Sequence, residues 1–206
     1  MAMQAEVILQ GQPRELPPEW ETNLLRIGQE VLTNAIRHAE ASKFDALLDF
    51  GSHEAGNQNV KGLVYVAAFG PGAGEDLDGL RGRFSPAALG AAVVPDSAGF
   101  LFIDRAKFQS VFANDLPEEE ASLLAATQKP LAACIFGEPI KAAAWKNIPS
   151  WYVVSTQDNS INPELQRFMA KRMGARIKEI KASHVSFISN PSEIARVIES
   201  AAASVG

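Results

Sequence analysis

An α/β protein, with a parallel sheet flanked by helices, is the class that the sequence predicts. Three observations carry this. From residue 150 onward strand-type and helix-type segments alternate, the order that a parallel sheet covered by helices requires. Two of the helical stretches open on the same start signal, Asn162 with Pro163 and Asn190 with Pro191. The loops after the two strands of this region carry Asp158 and His184, at the place where parallel-sheet proteins collect their chemistry.

Taken in order, "PRELPPEW" is a proline-rich lead-in to a helix predicted over 19–41, where Leu24, Ile27, Val31 and Ala35 recur at helical spacing. Strands follow at about 44–50 and 63–68. Residues 70–95, rich in Gly, Pro and Ala, read as loop with a helical turn or two. "GFLFIDRAKFQSVF" suggests a strand running into a helix. "LPEEEASLLAATQ" places Pro117 and three acids where a helix begins. "SWYVVST" has the unbroken apolar run of a buried strand. The helix after Asn162 ends at Gly174, and "ARIKEIK" alternates as a strand does. The final helix opens on Asn190, Pro191 and Glu193, a capping-box pattern.

At 206 residues the chain can bury a core of ordinary size, and its 47% apolar and 21% charged composition is that of a globular protein. A net charge of −5 gives no electrostatic reason to expect nucleic acid or an anionic membrane as partner. Apolar runs fall far short of the ~20 residues that span a bilayer. The start, "MAMQAEVILQ", lacks the basic head and apolar core of a signal peptide, so a cytoplasmic protein is expected. Cys134 is the only cysteine, which excludes an internal disulfide; its setting, "LAACIFG", reads as a core thiol. Arg167, Lys171, Arg172, Arg176, Lys178 and Lys181 read as a solvated helix face and its adjoining strand.

An acid after one strand and a histidine after the next suit a Ser-His-Asp relay in the chain order Ser, Asp, His, with Asp158 orienting the imidazole of His184. "VKGLVYVAAFGPGAGEDL", "IPSWYVVSTQDNSINPELQRFMAKRMGA" and "IKEIKASHVSFISNP" together resemble the C-terminal part of α/β-hydrolase-fold enzymes, closest to the small bacterial esterase-like branch. The resemblance covers about 59–206. It implies a partial hydrolase-type parallel sheet, Asp158 as triad acid, His184 as triad base, a cap-like segment over about 84–143, and a small ester-like molecule as substrate. Phe100, Phe102, Phe108, Phe112 and Trp145 of the cap-like region suggest an apolar pocket, with plain core as the alternative reading for most of them.

The nucleophile is expected just before the strand "LVYVAA". There the chain reads Gly51-Ser52-His53-Glu54-Ala55-Gly56, one place out of step with G-x-S-x-G. The polar residues 51–59 are too few for a parallel crossover and suit a loose hairpin, in which "KFDALLDF" pairs antiparallel with "KGLVYVAAF". Ser52 thus lacks the frame of a nucleophile elbow and is a weak candidate.

The N-terminal part resembles another family. "QEVLTNAIRHAEAS" is similar to the asparagine box in the ATP-binding domain of bacterial sensor histidine kinases, and the likeness runs over about 12–55. Glu30, Asn34 and His38 stand at i, i+4, i+8 on one helix face. That resemblance implies Glu30 and Asn34 near ATP and Mg²⁺, although "AAFGPGAG" offers no adenine-reading aspartate. The leading expectation is therefore a hydrolase-like part, 59–206, preceded by a kinase-like helix and strand, 1–58. Its inherited activity is ester hydrolysis, weak or lost, without metal or cofactor. The alternatives are an ATP- and Mg²⁺-binding module and a non-catalytic scaffold or chimera whose exposed sheet edges favour a homodimer.

Overall fold

The computed structural model describes residues 4–10 and 43–49 as strands and residues 60–205 in full. The chain divides into two compact units, Met1–Ala55 and Gly56–Gly206. In the first, β1 (Gln4–Gln10) pairs in parallel with β2 (Lys43–Asp49), Gln4 standing opposite Lys43 and Gln10 opposite Asp49. A parallel pair needs a connection of about a dozen residues or more, and residues 11–42 stand between the two strands in the sequence. The predicted helix over 19–41 lies outside the described residues. Within this unit "KFDALLDF", for which an antiparallel partner was expected, has β1 as its parallel neighbour in a two-stranded sheet.

The second unit is built on a parallel sheet in the order β3 (Leu63–Val66), β7 (Ser150–Ser155), β8 (Arg176–Ile180). β7 is central and buried at every position, as its run of Trp, Tyr and Val demands. β8 lies on the other side of β7 from β3 and exposes all but Ile180, so the alternation of "RIKEI" gives way to a solvated strand. Between β3 and β7 the chain forms α1 (Leu77–Arg81) and a small antiparallel sheet, β4 (Val93–Pro95), β5 (Phe100–Ile103) and β6 (Leu131–Ala132). It also forms α2 (Phe108–Phe112) and α3 (Glu118–Thr127). Pro117 stands immediately before α3, and the three predicted acids fill its first turn.

α4 (Pro163–Arg172) follows β7 and packs on one face of the sheet. Its start is the predicted one: the Asn162 side chain accepts from the backbone N–H of Glu164 at 2.8 Å, and Pro163 takes the first helical position. Leu165, Met169 and Ala170 of α4 meet Tyr152 and Val154 of β7 in the main core cluster. Burying a Leu or Met side chain in such a cluster stabilises by about 2 kcal/mol. α4 ends at Gly174, whose φ of +64° is one that residues with a Cβ rarely adopt. On the opposite face, Val153 of β7 packs with Ile180 and with Ile194 of the last helix, α6 (Pro191–Val205).

Three expectations need correction. The capping box of α6 does not close: the Glu193 carboxylate is taken by Lys178 at 3.4 Å and by Arg196, while the Asn190 N–H donates to the Ser186 carbonyl. Cys134 is exposed rather than a core thiol, because "LAACIFG" forms the short β6 and a 3₁₀ turn instead of a buried strand. Of the five aromatics expected at a pocket, Phe112 lines a cavity; Phe108 is core, Phe102 is half-buried in β5, Phe100 is solvent-facing, and Trp145 packs under Arg172. The basic residues 167–178 are largely committed to partners, Arg167 to Glu164 and Glu179, Arg172 to Glu75 and Lys178 to Glu193.

Candidate active site

Two strand ends make the site. β7 hands the chain to a turn in which the Thr156 N–H reaches the Ile180 carbonyl and the Gln157 N–H reaches that of Ala182, so the loops after β7 and β8 are stitched together. Asp158 sits on the first of these loops with a side chain that is fully enclosed. His184 sits on the second, just before α5 (Ser186–Ser189). The imidazole Nδ1 of His184 lies 2.8 Å from Oδ2 of Asp158. The two residues that the sequence singled out are thus brought into direct contact across the sheet.

Asp158 is held by four donors. Its Oδ1 accepts from the backbone N–H groups of Ser160 (2.7 Å) and Ile161 (3.0 Å), and its Oδ2 accepts from the Gln166 amide (2.7 Å) as well as from His184. An enclosed carboxylate with every lone-pair direction occupied has one orientation. Because a carboxylate has no proton to give, the partner assigns the hydrogen to Nδ1 and leaves Nε2 as the basic nitrogen of the ring. The other face of His184 meets the Phe112 ring, with centroids 4.7 Å apart.

Sequence reading missed Gln166. It is fully buried on the inner face of α4 beside Leu165 and Met169, and its amide is spent completely. Oε1 accepts from the Ser155 N–H at 3.0 Å, while Nε2 donates to the Ile161 carbonyl at 2.9 Å and to Asp158. The signal was available: a glutamine interrupting an apolar helical stripe, eight residues after the acid, is a buried polar group that needs partners.

His184 opens on a cavity of about 640 Å³ lined mainly by apolar side chains, among them Val66, Phe69, Leu89, Leu101, Phe112 and Phe136. This is the size and character of a small-molecule site. The end of β3 shapes one wall: Ala67, buried, takes φ +43° as its N–H bonds to the Val153 carbonyl at 3.0 Å. That left-handed turn swings Ala68 and Phe69 onto the cavity wall. A second cavity of about 430 Å³ shares Asp78, Arg81, Ser160 and Ile161 with the first.

Ser52 lies outside the described residues, as do Glu30 and Asn34. The serines that flank Asp158 are not free to act. Ser160 donates its hydroxyl to the Val111 carbonyl at 2.7 Å, and the Ser155 hydroxyl is sealed in the core without a partner. Among the described residues, no group of three or more His, Cys, Asp and Glu side chains is placed to hold a metal ion, and no helix is long and apolar enough to cross a membrane.

The sequence profile of the alpha/beta hydrolase family matches residues 33–197, well over half of the chain. The chain belongs to that family. No curated protein sequence matches it. Among solved structures, a variant of the pyrethroid hydrolase PytH is 20% identical, with 87% of this chain and 76% of that one covered at a TM-score of 0.61. A pyrethroid hydrolase from Sphingobium faniae JZ-2 is 24% identical over 68% of this chain and 60% of that one, TM-score 0.56. A variant of polyneuridine aldehyde esterase is 15% identical, TM-score 0.55; the chain covers 61% of its length with 68% of its own. At such identities the likeness is one of fold. The profile match begins at residue 33, inside the stretch read as an asparagine box, and the comparisons give the kinase-type resemblance no support.

Proposed function

We propose that Asp158 and His184 are the acid and base of a hydrolase relay, and that the inherited activity is hydrolysis of small carboxylic esters. The observation that supports it best is the 2.8 Å contact between a fully enclosed carboxylate and a histidine that lines an apolar cavity. The carboxylate fixes the tautomer and stabilises the imidazolium that forms when Nε2 takes a proton from the attacking group. The attacking group adds to the ester carbonyl, the alcohol leaves with the proton returned by His184, and water completes the cycle. Because the sequence has no G-x-S-x-G elbow, the rate is low.

The test is saturable hydrolysis of small activated aryl esters by the purified chain. A rate no greater than that of buffer overturns the reading. Ser52→Ala then separates two routes: loss of the rate assigns the serine as nucleophile, and an unchanged rate assigns a water activated by His184. The kinase-type reading of Glu30 and Asn34 makes its own prediction, Mg²⁺-dependent ATP binding detectable by calorimetry. The family match that runs through residue 34 favours the hydrolase.

A further inference from the structure

Both loops of the Asp158–His184 pair lean on one short stretch of the cap-like segment. On the acid side, the Asn159 amide donates to the Ser110 carbonyl at 2.9 Å, the Ser160 hydroxyl to that of Val111 at 2.7 Å, and the Asn114 amide to that of Gln157 at 3.3 Å. On the base side, the link is Asp115. Its Oδ2 accepts from the Ser183 N–H at 2.9 Å and from the Ser189 hydroxyl at 2.7 Å. Ser183 directly precedes His184, and Ser189 closes the helix α5 that follows it. One carboxylate oxygen therefore holds the histidine loop from both ends. Val185, one residue beyond, is buried against Phe108 and Leu116 of the same segment.

We propose that Asp115 is a positioning residue for His184: it fixes the loop that presents the imidazole to Asp158 and to the cavity. The inference rests on the reading of His184 as the base. The segment containing Asp115 thereby serves as more than a cover, since it is the common template on which the acid loop and the base loop are set relative to each other. The Oδ1 atom of Asp115 is enclosed and has no partner, so both of the contacts that matter use one oxygen. Burial raises the carboxyl pKa, but the donors Ser183 and Ser189 outweigh it and hold the group below the usual aspartate range. An asparagine retains one oxygen for those donors; an alanine does not.

The experiment is proton NMR of the His184 Nδ1–H, assigned by its loss in His184→Ala, together with aryl-ester kinetics. In Asp115→Ala the resonance should broaden or vanish and kcat fall about tenfold or more, with KM little changed, because a displaced base loses alignment rather than substrate binding. Asp115→Asn should restore both. Should the alanine variant not fold, Ser189→Ala, which removes one of the two donors, should give an intermediate loss. An unchanged resonance and rate in Asp115→Ala and Ser189→Ala overturn the proposal, as does an asparagine variant that fails to rescue. If no form of the protein hydrolyses esters and the resonance still follows Asp115, the positioning role stands and the hydrolase reading falls.

Discussion

Asp158 is the side chain whose surroundings leave it least choice. Each of its oxygens faces two N–H donors, so Asp158→Asn meets a conflict in either orientation: the new NH₂ points at Ser160 and Ile161, or at Gln166 and His184. We predict a loss of about 2–3 kcal/mol in chemical denaturation, the cost of leaving buried donors unmatched, with a loss of ester hydrolysis beyond it because His184 loses its tautomer-fixing partner. Gln166→Leu tests the neighbouring joint. It fills similar space but strands the Ser155 N–H and the Ile161 carbonyl, and should also cost about 2–3 kcal/mol by the same measurement. Asp158 and His184 were legible in the sequence because strand ends are where this class keeps such groups. Asp115 was not, since its partners Ser183 and Ser189 stand some seventy residues away.

The elements themselves followed from local chemistry where caps and periodicity agreed. α4 begins at its predicted asparagine and proline and ends at its predicted glycine because those residues satisfy the helix ends without help from elsewhere. Where a tertiary partner competes, the local signal loses, as with Glu193, whose carboxylate goes to Lys178 and Arg196 instead of a capping box. Long-range pairing was invisible in the same way: the glycine-rich loop after β3 gave no hint that Glu75 anchors it to α4. Glu75 accepts two 2.8 Å hydrogen bonds from Arg172, which also donates to the Gly70 carbonyl, while the Gly72 N–H reaches Glu75 at 2.7 Å. Burial raises the Glu75 pKa, but Gly72, Arg172 and Arg83 outweigh it and hold the group below the usual glutamate range. A depressed folded value means that the clamp stabilises above about pH 4.3, the ordinary glutamate value, and that this contribution disappears as pH falls through the folded value. Glu75→Gln should therefore lower stability by about 1–2 kcal/mol at neutral pH, and thermal melts of the two proteins should converge on acidification. A gap that stays constant from neutral to acid pH would contradict the charge-based account.

At the scale of the whole molecule, the family match extends beyond the part, 59–206, in which the sequence resembled a hydrolase. Its span from residue 33 to 197 crosses the junction placed near residues 58 and 59, so the hydrolase relationship reaches into the stretch assigned to a kinase-like piece. β1 and β2 pair in parallel, as the strands of the sheet β3-β7-β8 do. Parallel pairing was hidden from the sequence because it joins strands separated by residues 11–42, and only local hairpins leave a signature in adjacent residues. The protein that results has Asp158 and His184 in direct contact beside a cavity, the two residues that we propose as acid and base, with Ser52 as the weak serine candidate of the sequence. The most direct test of this account is the initial rate of activated aryl-ester hydrolysis by the wild-type chain beside His184→Ala, both shown to be folded. The account predicts a slow, saturable rate that falls to the buffer level in the variant. Equal rates in the two proteins would contradict it, because the chemistry would then owe nothing to the Asp158–His184 pair.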